Sequence, residues 1–247
     1  QESGPAQFEI NFLHGNAVDL ADQVFLFKRT IREAAIEEEM HATFLAKPMA
    51  RQAGSALHIH QSVIDKSGNN IFATADGKNS EAFMGYIGGL QKYLPHAMLI
   101  MAPYVNSYRR FLNPLSSPVN LAWAVDNRTV GLRVPESAPE NRRVENRLPG
   151  ADVNPYLALA ATLACGYLGM VEGLEPQPAA EGSAYGGDYA LHRHISASIA
   201  AFRSSDAMRS MLGSEFVDLY ATLKDDEYME FEEVITPWER EILMFNV

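Results

Sequence analysis

Three short segments alternate apolar and polar side chains, and their polar sides carry imidazoles, carboxylates and guanidiniums rather than neutral solubilising groups. In QFEINF, residues 7–12, Gln7, Glu9 and Asn11 fall on one side and Phe8, Ile10 and Phe12 on the other. In AGSALHIHQS, residues 53–62, His58, His60 and Ser62 share a side, with Leu57 and Ile59 opposite. Over residues 143–148, Arg143, Glu145 and Arg147 share a side, with Val144 opposite. Side chains two apart on a strand point to the same face. The chain is therefore expected to build a sheet with one apolar face and one charged face.

The intervening segments read as helices and turns. Leu20, Val24, Phe27 and Ile31 recur at helical spacing, which predicts a helix over 19–40 with Asp19 as its N-cap. Ser80 opens a second helix through Phe83, Ile87, Leu90 and Leu94. Asn154 followed by Pro155, a cap and then proline at the first helical position, opens an apolar helix over 156–173. Residues 54–64 read as a strand, DKSGNN (65–70) as a turn, and Ile71–Phe72 as a short strand. Val119–Trp123 and Thr129–Val134 read as two strands joined by a turn at Asp126 and Asn127. A proline-bracketed loop spans 109–118, a Gly-, Pro- and Ala-rich loop spans 175–188, and the remainder reads as helical. With neither a repeat nor a domain linker, the pattern is α+β: an antiparallel sheet with helices on one side.

A length of 247 residues suits one large domain or two ordinary ones. The net charge of −11 argues against nucleic acid or an anionic membrane as the main partner. It leaves room for a phosphate-bearing small molecule held by local arginines. Cys165 is the only cysteine, which excludes an intrachain disulfide and suits a reducing, cytoplasmic compartment. The longest apolar run, Tyr156–Val171, is interrupted by Thr162, Gly166 and Gly169 and falls short of the ~20 residues of a membrane span, so it reads as a buried helix. The N-terminal QESGPAQFEINF has neither the basic region nor the apolar core of a targeting signal. Its abrupt, structured start leads us to expect upstream residues.

Carboxylate with imidazole suits a divalent metal, Mg²⁺ or Mn²⁺, the imidazole tilting the balance toward Mn²⁺. Arginines beside a metal suit anionic oxygens, of phosphate or of carboxylate. Together these groups form the equipment for metal-assisted phosphoryl transfer. Neither a Walker-type glycine loop nor a GxGxxG is present. Taken singly, each piece has a plainer reading: His-x-His as a structural pair, Arg-x-Glu-x-Arg as a solvated ion-paired face, and Glu9 as an outward residue of an edge strand.

The ordered series QFEINF, KRTIREAA, ATFLAKPM, GSALHIHQS, NRTVGLRVP and RRVENRLPGADVNPYLALAA closely resembles the catalytic domain of glutamine synthetases, from about residue 2 to about residue 173. NFLHGNAVDLADQVFLFKRTIREAA resembles the γ-glutamylpolyamine synthetase branch in particular. The resemblance implies a curved antiparallel sheet and makes residues 1–247 the C-terminal part of such a domain, without the small N-terminal β-grasp domain and the first strands. It implies that Glu2 and Glu9 bind one catalytic metal, and His58 and Glu145 the second. His60 and Ser62 resemble ATP contacts, and Arg133 and Arg143 the ATP-phosphate side. Arg110, Arg128 and Arg147 resemble the arginines that grip glutamate's carboxylates and the phosphate in transfer, Arg128 serving ATP as well. Gly54 is expected to be bare so that glutamate can approach the backbone. The implied reaction phosphorylates the γ-carboxylate of L-glutamate with ATP and joins it to a small amine. The implied assembly is a ring-shaped homo-oligomer whose sites lie at subunit interfaces.

Two departures matter. The family's upstream metal-binding glutamates precede residue 1, and the loop glutamate that helps ammonia-using members bind ammonium is Ser116 here. No acidic residue lies between Glu81 and Asp126. A primary alkylamine such as putrescine is therefore expected as acceptor. The rival readings are an ammonia-using glutamine synthetase, a non-catalytic protein that retains the scaffold, and a phosphotransferase acting on guanidino substrates, for which no substrate loop is identifiable. Replacing Glu145 is expected to relieve an acidic cluster, weaken metal binding and spare the fold.

Overall fold

The computed structural model describes residues 1–112, 117–185 and 191–247. Strands β1 (Ile59–Gln61), β2 (Trp123–Val125), β3 (Leu132–Val134) and β4 (Val144–Asn146) form one four-stranded sheet in the order β1-β4-β3-β2. β4 runs antiparallel to both β1 and β3, and Glu145 is the Cα partner of His60 on one side and Arg133 on the other. The alternation of the sequence holds across these strands: Ile59, Leu132, Val134 and Val144 are buried on the core side.

Helix α2 (Glu81–Met101) contributes more buried core residues than any other element, and α4 (Pro155–Glu172) packs against it. Two buried polar residues of the sheet find partners there. Tyr86 donates its hydroxyl to Gln61 Oε1 at 2.9 Å, and Asn146 Nδ2 donates to Thr162 Oγ1 at 3.2 Å. Because buried polar groups must be paired and a one-residue slip would swing every side chain to the opposite face, these two bonds help to fix register.

The capping residues explain the helix starts. Ser80 Oγ accepts from the Phe83 amide at 3.1 Å. Asn154 Oδ1 accepts from the amides of Tyr156 and Leu157, with Pro155 at the first position, and Gly173 closes α4 in the left-handed region. α1 (Ala17–Glu37) starts earlier than the apolar spacing predicts: Asn16, not Asp19, is the N-cap, its side chain accepting from Val18. Asp19 lies in the first turn instead, where a negative charge meets the positive end of the helix. The short α3 (Val105–Arg109) follows α2; α5 (Ile195–Arg203) packs on α2, and α7 (Ser214–Glu232) packs on α5 and on the short α6 (Asp206–Leu212).

α4 has 18 residues and is long and apolar enough, by length and composition, to cross a membrane. Its contacts are those of a core helix. A Cβ on Gly89 of α2 would lie 2.3 Å from the Cys165 carbonyl oxygen, and one on Gly169 of α4 would lie 2.4 Å from Gly89 Cα. The two backbones touch, and glycine is the only residue that permits it.

Four expectations are corrected. Residues 7–12 alternate but form no strand: no neighbouring segment among the described residues pairs with them, and Phe8 and Ile10 are exposed. The predicted strand over 54–64 contracts to β1 with isolated bridges at Ala56 and Ile64. Ile71–Phe72 is not a strand; the buried Phe72 ring packs on Phe83 and Tyr86, and the backbone only bridges at Asn70 and Ala73. Finally, the sheet is mixed, because β2 and β3 pair in parallel, Trp123 opposite Leu132 and Val125 opposite Val134. The connection over 126–131 folds back rather than closing a hairpin. Asn120 holds it there, donating to the Thr129 carbonyl at 3.0 Å and accepting from the Gly131 amide at 3.1 Å.

Gly89→Ala is expected to cost about 3 kcal/mol, the upper part of the overpacking range, because backbone rather than a flexible side chain must move. Urea unfolding should show a lowered midpoint at unchanged slope. Gly15→Ala, whose Cβ would meet only Leu20 at 4.0 Å, should leave the midpoint in place.

Candidate active site

The charged face of the sheet centres on Glu145. Its residue exposure is 2%, and it sits in one row of Cα partners with Ala124, Arg133 and His60 across all four strands. Its carboxylate is surrounded by bases. Oε2 accepts from Arg133 Nη1 at 2.8 Å, while Oε1 accepts from Arg147 Nη1 at 2.5 Å and lies 3.1 Å from His58 Nδ1. Burial alone would raise the carboxyl pKa. The hydrogen bonds from His58 and Arg133 and the charge of Arg147 outweigh that, and hold it well below the usual carboxylate range.

His60 accepts at Nδ1 from Arg143 Nε at 3.3 Å. Desolvation is the main cause of a pKa below the ordinary 6.5; Glu145 opposes it, and the charges of Arg143, His58 and Arg133 reinforce it. A neutral ring that accepts from arginine is the result. Ser62 lies exposed two residues on, with its side chain on the same side.

The sequence-predicted residues therefore divide. His58, His60, Glu145, Arg133, Arg143 and Arg147 come together on one face. Arg128 is exposed in the 126–131 connection and makes no hydrogen bond or ion pair among the described residues. Glu2 and Glu9 are exposed on the N-terminal segment. Among the described residues, no group of three or more His, Cys, Asp or Glu is close enough to hold a metal ion. The donors that do meet, one imidazole and one carboxylate, fit part of a divalent cation's shell. Ser116 lies outside the described residues.

Arg110 and Gly54 depart from expectation together. Arg110 is 2% exposed, and its guanidinium donates to the Leu148 carbonyl and to Ser117 Oγ instead of facing solvent. Burial pushes its pKa down to about 10, with Asp152 opposing and Arg147 adding to the effect. Its stem fills the space that Gly54 leaves: a Cβ there would lie 2.6 Å from Arg110 Cγ and 2.7 Å from the Ala46 carbonyl oxygen. A glycine is required there by packing within the chain.

Two further residues join the site. Gln7, read only as a polar strand residue, donates Nε2 to the Gly54 carbonyl and to Ser55 Oγ, both at 3.0 Å, tying the segment that carries Glu2 and Glu9 to the approach of β1. Asp126, read only as a turn residue, pairs with Arg133 Nη2 at 2.5 Å. The signal for Asp126 was an acid beside the strand that carries Arg133; it became meaningful only once β2 and β3 paired in parallel. Exposure rises outward from the buried Glu145 to Arg147, Arg133 and His58, whose side chains are 14%, 20% and 31% exposed. The clefts of about 370 and 430 Å³ lie elsewhere, around Tyr104 and Phe231 and around Ile235 and Phe245, and include none of these residues.

Because Glu145 is ringed by cations, its removal does not relieve an acidic cluster; it leaves two guanidiniums facing each other. Glu145→Gln is expected to cost about 3 kcal/mol at neutral pH. The depressed carboxyl contributes stability above its ordinary value of 4.5 and loses it as the pH falls, since the unfolded chain then binds the proton more readily. The stability gap between wild type and variant, measured by urea unfolding, should be widest above pH 4.5 and narrow in acid.

Residues 1–243 match the family described as glutamine synthetase, catalytic domain. The chain is 38% identical over 249 residues to gamma-glutamylputrescine synthetase PuuA of Escherichia coli (strain K12), covering 99% of this chain and 52% of that protein. It is 37% identical to the glutamate–isopropylamine ligase of Pseudomonas sp, over 96% of this chain and 53% of that protein. It is 34% identical to the glutamine synthetase of Halobacterium salinarum, over 96% and 55%. The ligand-free structure of GmaS superposes with a TM-score of 0.84 at 29% identity, covering 93% of this chain and 54% of that one. The chain thus spans about half the length of the curated relatives it matches.

Proposed function

Because the chain belongs to the catalytic-domain family of glutamine synthetases, we propose that it is the C-terminal part of an ATP-dependent ligase that joins the γ-carboxylate of L-glutamate to a primary alkylamine, putrescine being the favoured acceptor. The observation that carries this reading is the Glu145 row, in which one buried carboxylate gathers His58, Arg133 and Arg147 on a charged sheet face. A non-catalytic scaffold has no use for such an array, which is costly to bury.

His58 and Glu145 would hold one divalent cation, Mg²⁺ or Mn²⁺, and Glu2 and Glu9 would serve a second; bound there, the metals neutralise charge on the transferring phosphoryl group. Arg133, Arg143, His60 and Ser62 would face ATP, and Arg147 with Arg128 would face the transferred phosphate and glutamate's carboxylates. Arg110 acts from within, fixing the position of Gly54. The γ-carboxylate oxygen attacks the γ-phosphorus of ATP and ADP leaves. The amine nitrogen then attacks the γ-carbonyl carbon of the acyl phosphate, phosphate departs, and the amine's proton passes to a base. Arginines aligned beforehand stabilise the charge without reorganising.

The choice of amine rests on the stretch without acids between Glu81 and Asp126. A bare ammonium needs a nearby carboxylate to be held, whereas an alkyl chain does not. Two relatives that act on alkylamines by name support the same choice. The exposed Phe8, Ile10, Phe25 and Leu26 favour a neighbouring subunit of a ring-shaped homo-oligomer packed against the N-terminal part of the chain. The single, buried Cys165 suits a cytoplasmic setting.

Glutamate-dependent ADP release by the full-length protein, compared with putrescine and with ammonium, tests the reading. We expect kcat/KM to favour putrescine by about 100-fold or more, the discrimination available to a site that lacks a partner for the rejected ion. A ratio favouring ammonium would reassign the protein as an ammonia-using glutamine synthetase, and no amine stimulation at all would favour the non-catalytic scaffold.

A further inference from the structure

We propose that Asp126 is a positioning residue that fixes the Arg133 guanidinium for its task on the nucleotide's phosphates; the proposal rests on the ligase reading above. Asp126 follows directly on β2 and has a backbone φ of +46°, in the left-handed region that L-residues with a Cβ enter at a cost of about 1 kcal/mol. Its own side chain does not stabilise that turn. The turn is held by Asn127, whose Oδ1 accepts from the Thr129 amide at 2.9 Å and the Thr129 hydroxyl at 2.6 Å, and whose Nδ2 donates to the Gly182 carbonyl at 2.6 Å. The strained backbone instead aims the Asp126 carboxylate across the parallel pair at Arg133.

Arg133 is held from both ends. Nη2 meets Asp126 on the β2 side and Nη1 meets Glu145 on the β4 side, while Nε is buried without a hydrogen-bond partner among the described residues. A planar guanidinium gripped by two carboxylates from opposite sides has one orientation; gripped by one, it can swing about that contact. The charge pattern points the same way. Without Asp126, Glu145 would face two guanidiniums alone, and Arg133 could turn its whole fork onto it.

The pair itself contributes little to folding. Asp126 is 43% exposed at its side chain, and pairs of that exposure are worth at most about 1 kcal/mol. Loss of Asp126 should therefore be felt in catalysis and hardly in stability, the opposite of what a structural acid would give.

Asp126→Asn is the informative variant, since asparagine tolerates the left-handed backbone and keeps the shape while removing the charge. In the full-length enzyme we expect kcat/KM for ATP to fall about tenfold, with KM for glutamate within about twofold, as for an arginine displaced by a fraction of an ångström. The melting temperature should fall by no more than ~2 °C. In an Arg133→Gln background, Asp126→Asn should have no further effect on the ATP parameters. An active wild type with unchanged ATP kinetics in Asp126→Asn would overturn this proposal alone, as would an undiminished effect in the Arg133→Gln background or a collapse of the melting temperature. A wild type that releases no ADP with glutamate and any amine would overturn the ligase reading and this proposal with it.

Discussion

A carboxylate at the centre of a sheet must have partners, and the partners of Glu145 organise the whole charged face. Desolvation opposes its charge, so only the combined hydrogen bonds and charges of His58, Arg133 and Arg147 keep it ionised. Arg147 lies two residues along the same stretch, whereas His58 and Arg133 are brought in because β4 is flanked by β1 on one side and β3 on the other. The register of the sheet and the electrostatics of the face are therefore one constraint. A slip of one residue on β1, β3 or β4 would bury an unpaired guanidinium or imidazole.

Behind that face, the rigid part of the molecule is the crossing of α2 and α4. Their glycines let two backbones meet, which leaves no slack for a side chain to absorb motion. Tyr86 and Thr162, on these same helices, hold Gln61 and Asn146 of the sheet. Gln61 and Asn146 are each next in sequence to a residue of the charged row, His60 and Glu145. Positional precision at the face thus derives from helix packing on the opposite side of the sheet, through two buried hydrogen bonds.

What was legible in the sequence follows from which interactions are local. The caps at Ser80 and Asn154 and the alternation over 58–62 are decided within a few residues, and the structure retains them. Pairing is not local. The alternation over 7–12 is as clean as that of 58–62, yet only the latter has a neighbouring strand among the described residues. The parallel pairing of β2 and β3 was hidden for a related reason: Asp126-Asn127 carries ordinary turn chemistry, and its outcome depends on Asn120, a residue upstream that holds the returning chain. The Arg-x-Glu-x-Arg spacing was visible, but whether Glu145 sits among acids or bases depends on the two strands beside it.

Arg110 shows how the parts communicate. Its stem packs on Gly54, its guanidinium donates to the Leu148 carbonyl just beyond β4, and Ser117 on the far side of the 113–116 segment meets the same guanidinium. Gln7 holds the Gly54 carbonyl from the other direction. Four stretches distant in sequence are thus linked: the approach to β1, Ser117 and the exit from β4 meet at the buried Arg110, and the N-terminal segment joins them through Gln7 and Gly54. Leaving such a cation with fewer acceptors is costly, so a displacement at any of the four is resisted by the other three. The N-terminal segment is thereby tied, through Gln7 and Gly54, to Arg110 and the end of the central strand. An arginine turned inward serves that purpose better than one turned toward solvent, because a guanidinium offers several donors in a fixed plane.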